Sequence, residues 1–71
     1  MDILIFKTDL NNTQRINSVH HLMKNINGIS RWNVDMQDCD NVLRIEATEV
    51  SPRAVENILK RAGYYCEELN D

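Results

Sequence analysis

The sequence predicts an α+β sandwich in which two helices cover one face of a four-stranded antiparallel sheet, in the chain order β-α-β-β-α-β. Three observations lead there. Two stretches carry apolar residues at three- and four-residue spacing: Ile16, Val19, Met23 and Ile26 in the first, Val55, Ile58, Leu59 and Ala62 in the second. Each is followed by a glycine, Gly28 or Gly63, a residue able to take the left-handed backbone that ends helices. Around them lie four short apolar or alternating stretches of the kind that form strands.

In chain order, Ile3-Leu4-Ile5-Phe6 is an apolar run that places a first strand over residues 2–8. Asp9 to Asn12 reads as a polar loop, and Asn12 or Thr13 can cap the first helix by accepting a bond from a free backbone N–H. That helix is expected to run to Gly28. Over residues 29–37, Trp32, Val34 and Met36 alternate with Arg31, Asn33 and Asp35, which predicts a strand buried on one face. Asp38-Cys39-Asp40-Asn41 is turn-forming, and Leu43, Ile45 and Ala47 then alternate with Arg44, Glu46 and Thr48, completing a hairpin. Ser51 as cap and Pro52 in the first turn open the second helix. Tyr64 to Leu69 reads as a last short strand. Strand, helix, hairpin, helix, strand is the split β-α-β pattern of ferredoxin-like folds. A right-handed first crossover gives the strand order 4-1-3-2 and leaves the face away from the helices open.

Residues 1–71 are one domain, near the lower limit at which a chain buries a self-sufficient core. Oligomerisation is a common remedy at this size. A net charge of −3 argues against general nucleic-acid binding, which needs a basic surface. No apolar run approaches the ~20 residues of a membrane span. Met1-Asp2-Ile3 lacks the basic and then apolar regions of a secretory leader. Two cysteines without a CxxC pair do not form a disulfide framework, so a cytoplasmic setting is expected.

The chain resembles the heavy-metal-associated (HMA) domains of copper chaperones and metal-pumping transporters over almost its whole length. Val19-His20-His21-Leu22-Met23-Lys24-Asn25-Ile26-Asn27-Gly28-Ile29 resembles the family's first helix and its Gly-Val turn. Trp32-Asn33-Val34-Asp35 resembles its second strand, and Ser51 through Ala62-Gly63-Tyr64 its second helix with an Ala-Gly-Tyr ending. The family's metal chemistry sits in a Gly-Met-x-Cys-x-x-Cys loop before the first helix. In this chain that loop falls on Asp9-Leu10-Asn11-Asn12-Thr13-Gln14-Arg15, so Asn12 and Arg15 stand where the resemblance implies thiolates. Arg carries a fixed positive charge and offers no lone pair. The metal-loop positions are degenerate, and no family site residue carries over.

Cys39 is the candidate metal ligand that remains. Flanked by Asp38 and Asp40, with Met36 near, it is expected at the end of the sheet where the family holds its ion. Its bland reading is an exposed turn cysteine, since soft-metal sites normally use several ligands. Cys66 alternates onto the core side and reads as a small buried hydrophobe. A Cys39–Cys66 bridge is not expected, because their strands lie at opposite sheet edges, about three spacings of ~4.8 Å apart, whereas a disulfide needs Cα atoms within ~7 Å. His20 and His21 are adjacent on a helix and diverge by about 100°, so they do not chelate one ion. No nucleophile with its base, no acid–base pair and no Gly-rich phosphate loop is present, so an enzyme is not expected. If Leu4 and Phe6 face the helices, Ile3, Ile5, Tyr65 and Leu69 gather on the open face as an interaction patch. The expectation is a non-enzymatic HMA-like domain with no cofactor, meeting a protein partner or forming a weak homo-oligomer, and touching neither nucleic acid nor membrane. The alternative is a soft-metal-handling protein with a non-standard site around Cys39.

Overall fold

Alternation along Asp2–Thr8 produces strand β1 of the computed structural model, which describes residues 1–69. Leu4, Phe6 and Thr8 are buried on one side of it, and Ile3 and Lys7 are exposed on the other. Helix α1 (Thr13–Met23) buries Val19 and Met23. Strands β2 (Ile29–Asp35) and β3 (Val42–Ala47) form the hairpin. Helix α2 (Pro52–Arg61) buries Val55 and Leu59, and β4 (Cys66–Glu68) ends the order. The sheet runs β2-β3-β1-β4, every neighbouring pair antiparallel, which is the order the sequence predicts. Asn70 and Asp71, the last two positions of the expected domain, lie outside the described residues.

Leu4, Phe6, Leu43, Ile45 and Ala47 from the sheet meet Val19, Met23, Val55 and Leu59 from the helices, closed by Leu10 and Cys66. Burying each large side chain of this kind contributes roughly 1.5–3 kcal/mol. The two central strands supply the sheet's share of this core apart from Cys66, which comes from the edge strand β4. The edge strand β2 contributes only half-buried side chains, Trp32 and Val34, that pack against it. Trp32 is thus core-facing without being enclosed, and its ring centroid lies 6.0 Å from that of His20.

Three boundaries depart from the sequence reading, each for a local reason, and the second helix departs in its cap. Helix α1 stops at Met23 rather than running to Gly28. Its last turns tighten to three-residue hydrogen bonds, Asn25 N–H to the Leu22 carbonyl and Ile26 N–H to that of Met23, in a stretch where Asn25 and Asn27 are poor helix formers. Ile26 still packs on the core. Strand β2 stops at Asp35 because its carboxylate accepts the Gln37 N–H at 3.0 Å and turns the chain. Met36 is therefore 48% exposed instead of continuing the buried face. In α2, Ser51 occupies the cap position but makes no side-chain cap bond, and Ala62 is exposed at the helix end. Strand β4 begins at Cys66, since the Tyr64 N–H goes to the Leu59 carbonyl and the Tyr65 N–H to the Asp9 carboxylate.

Candidate functional site

At the end of β1 a buried Thr8 ties two loops together. Its hydroxyl donates to the Asn41 carbonyl at 2.6 Å and accepts the Leu10 N–H at 3.1 Å, while its own N–H donates to the Asp40 carbonyl at 3.0 Å. The hairpin turn is thereby laid against β1, and Leu10, fully buried, pins the 9–15 loop to the core. Asn12 has extended backbone (φ −154°), and its side-chain oxygen accepts the Arg15 N–H at 2.8 Å, so it caps α1 as expected. Arg15 turns back over the loop. Its Nη1 lies 3.0 Å from Asp9 Oδ2 and donates to the Asp9 carbonyl at 3.2 Å. The other oxygen of Asp9 accepts the Tyr65 N–H at 3.0 Å. The loop, the hairpin turn and the start of β4 are therefore gathered at one end of the sheet.

This loop does not fit a soft metal. Arg15 has no lone pair and Asn12 offers a hard amide oxygen already spent on the cap. Both carboxylate oxygens of Asp9 are engaged as well. Beside it, Cys39 is exposed, and its Sγ lies 3.9 Å from Asp40 Oδ1. Donor atoms of Asp38, Cys39 and Asp40 fall within 4.8 Å of one another. Asp38 Oδ1 accepts the Asp40 N–H, and Asp40 Oδ1 lies 3.6 Å from Lys7 Nζ. Two of the three candidate ligands thus already serve the turn.

Both cysteines are free. The hairpin turn is bonded through the Asp40 carbonyl to Thr8 of β1, the strand next to β4. Cys66 is fully buried opposite Thr8. Burial, with the nearby Glu56 carboxylate, pushes its thiol up to about 12. Iodoacetamide at pH 8 is therefore expected to modify the native chain once, at Cys39, and a second time at Cys66 only in denaturant. Two equivalents incorporated under native conditions would contradict the burial of Cys66. The folded state holds this proton more tightly than the unfolded state does, so Cys66 makes stability fall as pH rises above the unfolded value near 9.

The expected interaction patch is gathered only in part. On the open face, Ile3 is 46% and Leu69 37% exposed, and Ile5 is half-buried between them. Leu69 N–H bonds the Ile5 carbonyl at 2.8 Å, so these residues are contiguous. Tyr65 stands apart, because the cross-strand pair Lys7 and Glu67 intervenes. Its hydroxyl donates to Glu67, which pushes the phenol pKa up. Charged Arg44 and Glu46 border the apolar residues on the β3 side. The β4 edge is also less open than its position implies, since Glu56 Oε2 accepts the Glu68 N–H at 2.7 Å.

Thr8, Leu10 and the bridging role of Asp9 escape the sequence reading. Leu10 had one signal: it stands where the resembled loop carries Met. The contacts of Thr8 and Asp9 reach across 33 and 56 positions and leave no local pattern.

No family model matches this chain, and no curated protein matches it in sequence. Its likeness is to solved structures. The yeast copper transporter domain Ccc2a, determined in apo and Cu(I)-loaded states, superposes with a TM-score of 0.82 at 16% identity, covering 100% of this chain and 99% of that one. A chain of the Atx1-Cu(I)-Ccc2a complex gives 0.79 at 17% identity, covering 97% and 96%. The N-terminal domain of ZntA in its Zn(II) form gives 0.77 at 18% identity, covering 93% and 89%. In fold, then, this chain is similar to heavy-metal-associated domains, with Asp9 before its first helix paired to Arg15 in that helix's first turn.

Proposed function

We propose that this chain is a non-enzymatic protein-recognition domain of the HMA fold that carries no soft metal in its 9–15 loop. The observation behind this reading is the clasp formed by Asp9, Asn12 and Arg15, which spends the loop's polar groups on one another. A fixed guanidinium there repels the cation the resembled loop would hold. The depression beside the clasp, lined by Asp9, Gln14, Arg15, Ser18, Gly63 and Tyr64, is open and shallow, which is poor ground for enclosing a substrate. The fold also occurs in a protein–protein complex, that of Atx1 and Ccc2a. For this chain the contact surface is the open sheet face around Ile3, Ile5 and Leu69, with Tyr65 at its margin. The partner is a second protein in the cytoplasm or another copy of the chain. The sheet face is favoured over strand addition at β4 because Glu56 already occupies that edge.

A second reading, in which Asp38, Cys39 and Asp40 hold a metal ion, draws on the closeness of their donor atoms. Titrating the reduced protein with Cu(I) and Zn(II) against a competing chelator separates the two. No tight 1:1 binding is expected at the loop. Stoichiometric Cu(I) binding that survives Cys39→Ser with Cys66→Ser would overturn the main reading, and binding abolished by Cys39→Ser alone would establish the second. Sedimentation over a wide concentration range should show weak association of the wild type that Ile5→Lys removes. Two monomers at millimolar concentration would leave a different protein as the partner.

A further inference from the structure

We infer that the Arg15 guanidinium acts as a built-in replacement for the loop's metal ion, cross-linking the segments at this end of the sheet so that they hold one arrangement without any metal. The inference rests on the metal-free reading of the loop and adds what takes the ion's mechanical place. An ion bound by such a loop would tie the chain before α1 to the first turn of α1. Arg15 makes the same tie from the protein's own side chain, reaching from α1 to both the carboxylate and the backbone carbonyl of Asp9. Asp9 relays the tie onward, because its free oxygen accepts the Tyr65 N–H at the entry to β4. Thr8, one residue before Asp9, carries it to the hairpin turn through Asn41 and Asp40. One positive charge thus organises three segments distant in sequence.

The competing view is an incidental surface ion pair. Both side chains are about two-fifths exposed, and pairs of that kind contribute within ~1 kcal/mol. Global stability therefore cannot separate the two views, whereas local order can. With the Arg15 charge gone, Asp9 is free to turn toward water, and the Tyr65 amide loses its acceptor.

The experiment is amide hydrogen exchange by NMR on the reduced protein, comparing wild type, Arg15→Gln and the control Arg53→Gln on exposed α2. Arg15→Gln is expected to speed exchange at Tyr65 about fivefold or more while Val55 and Leu59 keep their wild-type rates. Unchanged Tyr65 exchange overturns the inference, and so does an equal acceleration across the core, which would make Arg15 a general stabiliser. A second arm uses Asn12→Cys with Arg15→Cys. Without metal its Tyr65 amide should exchange fast, and one equivalent of Zn(II) should slow it again. Zn(II) that binds and leaves Tyr65 fast, or that does not bind at all, shows that the guanidinium replaces nothing. Cu(I) binding at the wild-type loop would instead remove the underlying metal-free reading, so the two failures are distinct.

Discussion

Gly28→Ala should cost about 3 kcal/mol or more, a large part of what so short a chain has to lose. Gly28 sits at φ +101°, a left-handed backbone that side chains resist, and so alanine starts with a strain of roughly 1–2 kcal/mol. The surroundings add to it. A Cβ at this position would lie 2.5 Å from the Thr48 carbonyl oxygen and 2.9 Å from Val50 Cγ2. The first of these is backbone, and it cannot swing aside as the end of a flexible side chain can. It is also held in place, because the Gly28 carbonyl accepts the Thr48 N–H at 2.9 Å and locks the turn before β2 onto the end of β3. Relieving the clash means opening that bond and shifting a β2–β3 register already offset by the extra residue between Ile29 and Arg31. Gly63 provides the control. Its φ of +95° is equally strained, yet nothing lies within 4 Å of the position a Cβ would take. Gly63→Ala should therefore show the backbone term alone, about 1–2 kcal/mol. Urea unfolding of both variants checks this, and equal losses would mean that the close approach at Gly28 costs nothing.

The same pair of glycines shows what the sequence carries and what it does not. Both mark the end of a helical stripe, and stripe plus glycine places the two helices, while the apolar and alternating stretches around them place four strands and a right-handed crossover gives their order. Nothing in the letters separates a glycine packed against a carbonyl from one facing open space, because that difference is made by Thr48 and Val50. The site divides in the same way. Asn12 as cap is read from residue type and spacing, since it acts within three positions of itself, whereas Arg15 as the wrong residue for a metal is what the family resemblance implies. The Asp9 bond to Tyr65 closes over 56 positions and has no period to betray it. Alternation overshoots for related reasons. It continues Trp32 and Val34 into Met36, whereas the Asp35 carboxylate has already turned the chain. It starts β4 at Tyr64, whereas the first two N–H groups there are claimed by the end of α2 and by the loop.

Leu10→Ala should destabilise the protein by about 2–5 kcal/mol, the usual cost of hollowing a filled core by a leucine side chain. Composition hides this residue: it stands alone among Asp9, Asn11 and Asn12, where a polar loop is the natural reading. The structure leaves it 0% exposed and joined to the cluster built by β1, β3 and both helices. Its backbone is fixed too, the N–H bonding the buried Thr8 hydroxyl, so the side chain cannot withdraw and let the loop collapse over the gap. The upper half of the range is therefore expected. Ile3→Ala on the open face is the comparison, since Ile3 is 46% exposed and its truncation should cost no more than about 0.5–1 kcal/mol. A loss from Leu10→Ala no larger than that from Ile3→Ala would place the residue outside the core. The contrast with Arg15→Gln matters as much as the size. Leu10 holds the loop to the body of the protein, so its loss should lower the protection of core amides such as Val55 and Leu59 together with that of Tyr65. Arg15 orders the polar contacts at this end of the sheet, and its loss should be felt at Tyr65 while Val55 and Leu59 keep their protection.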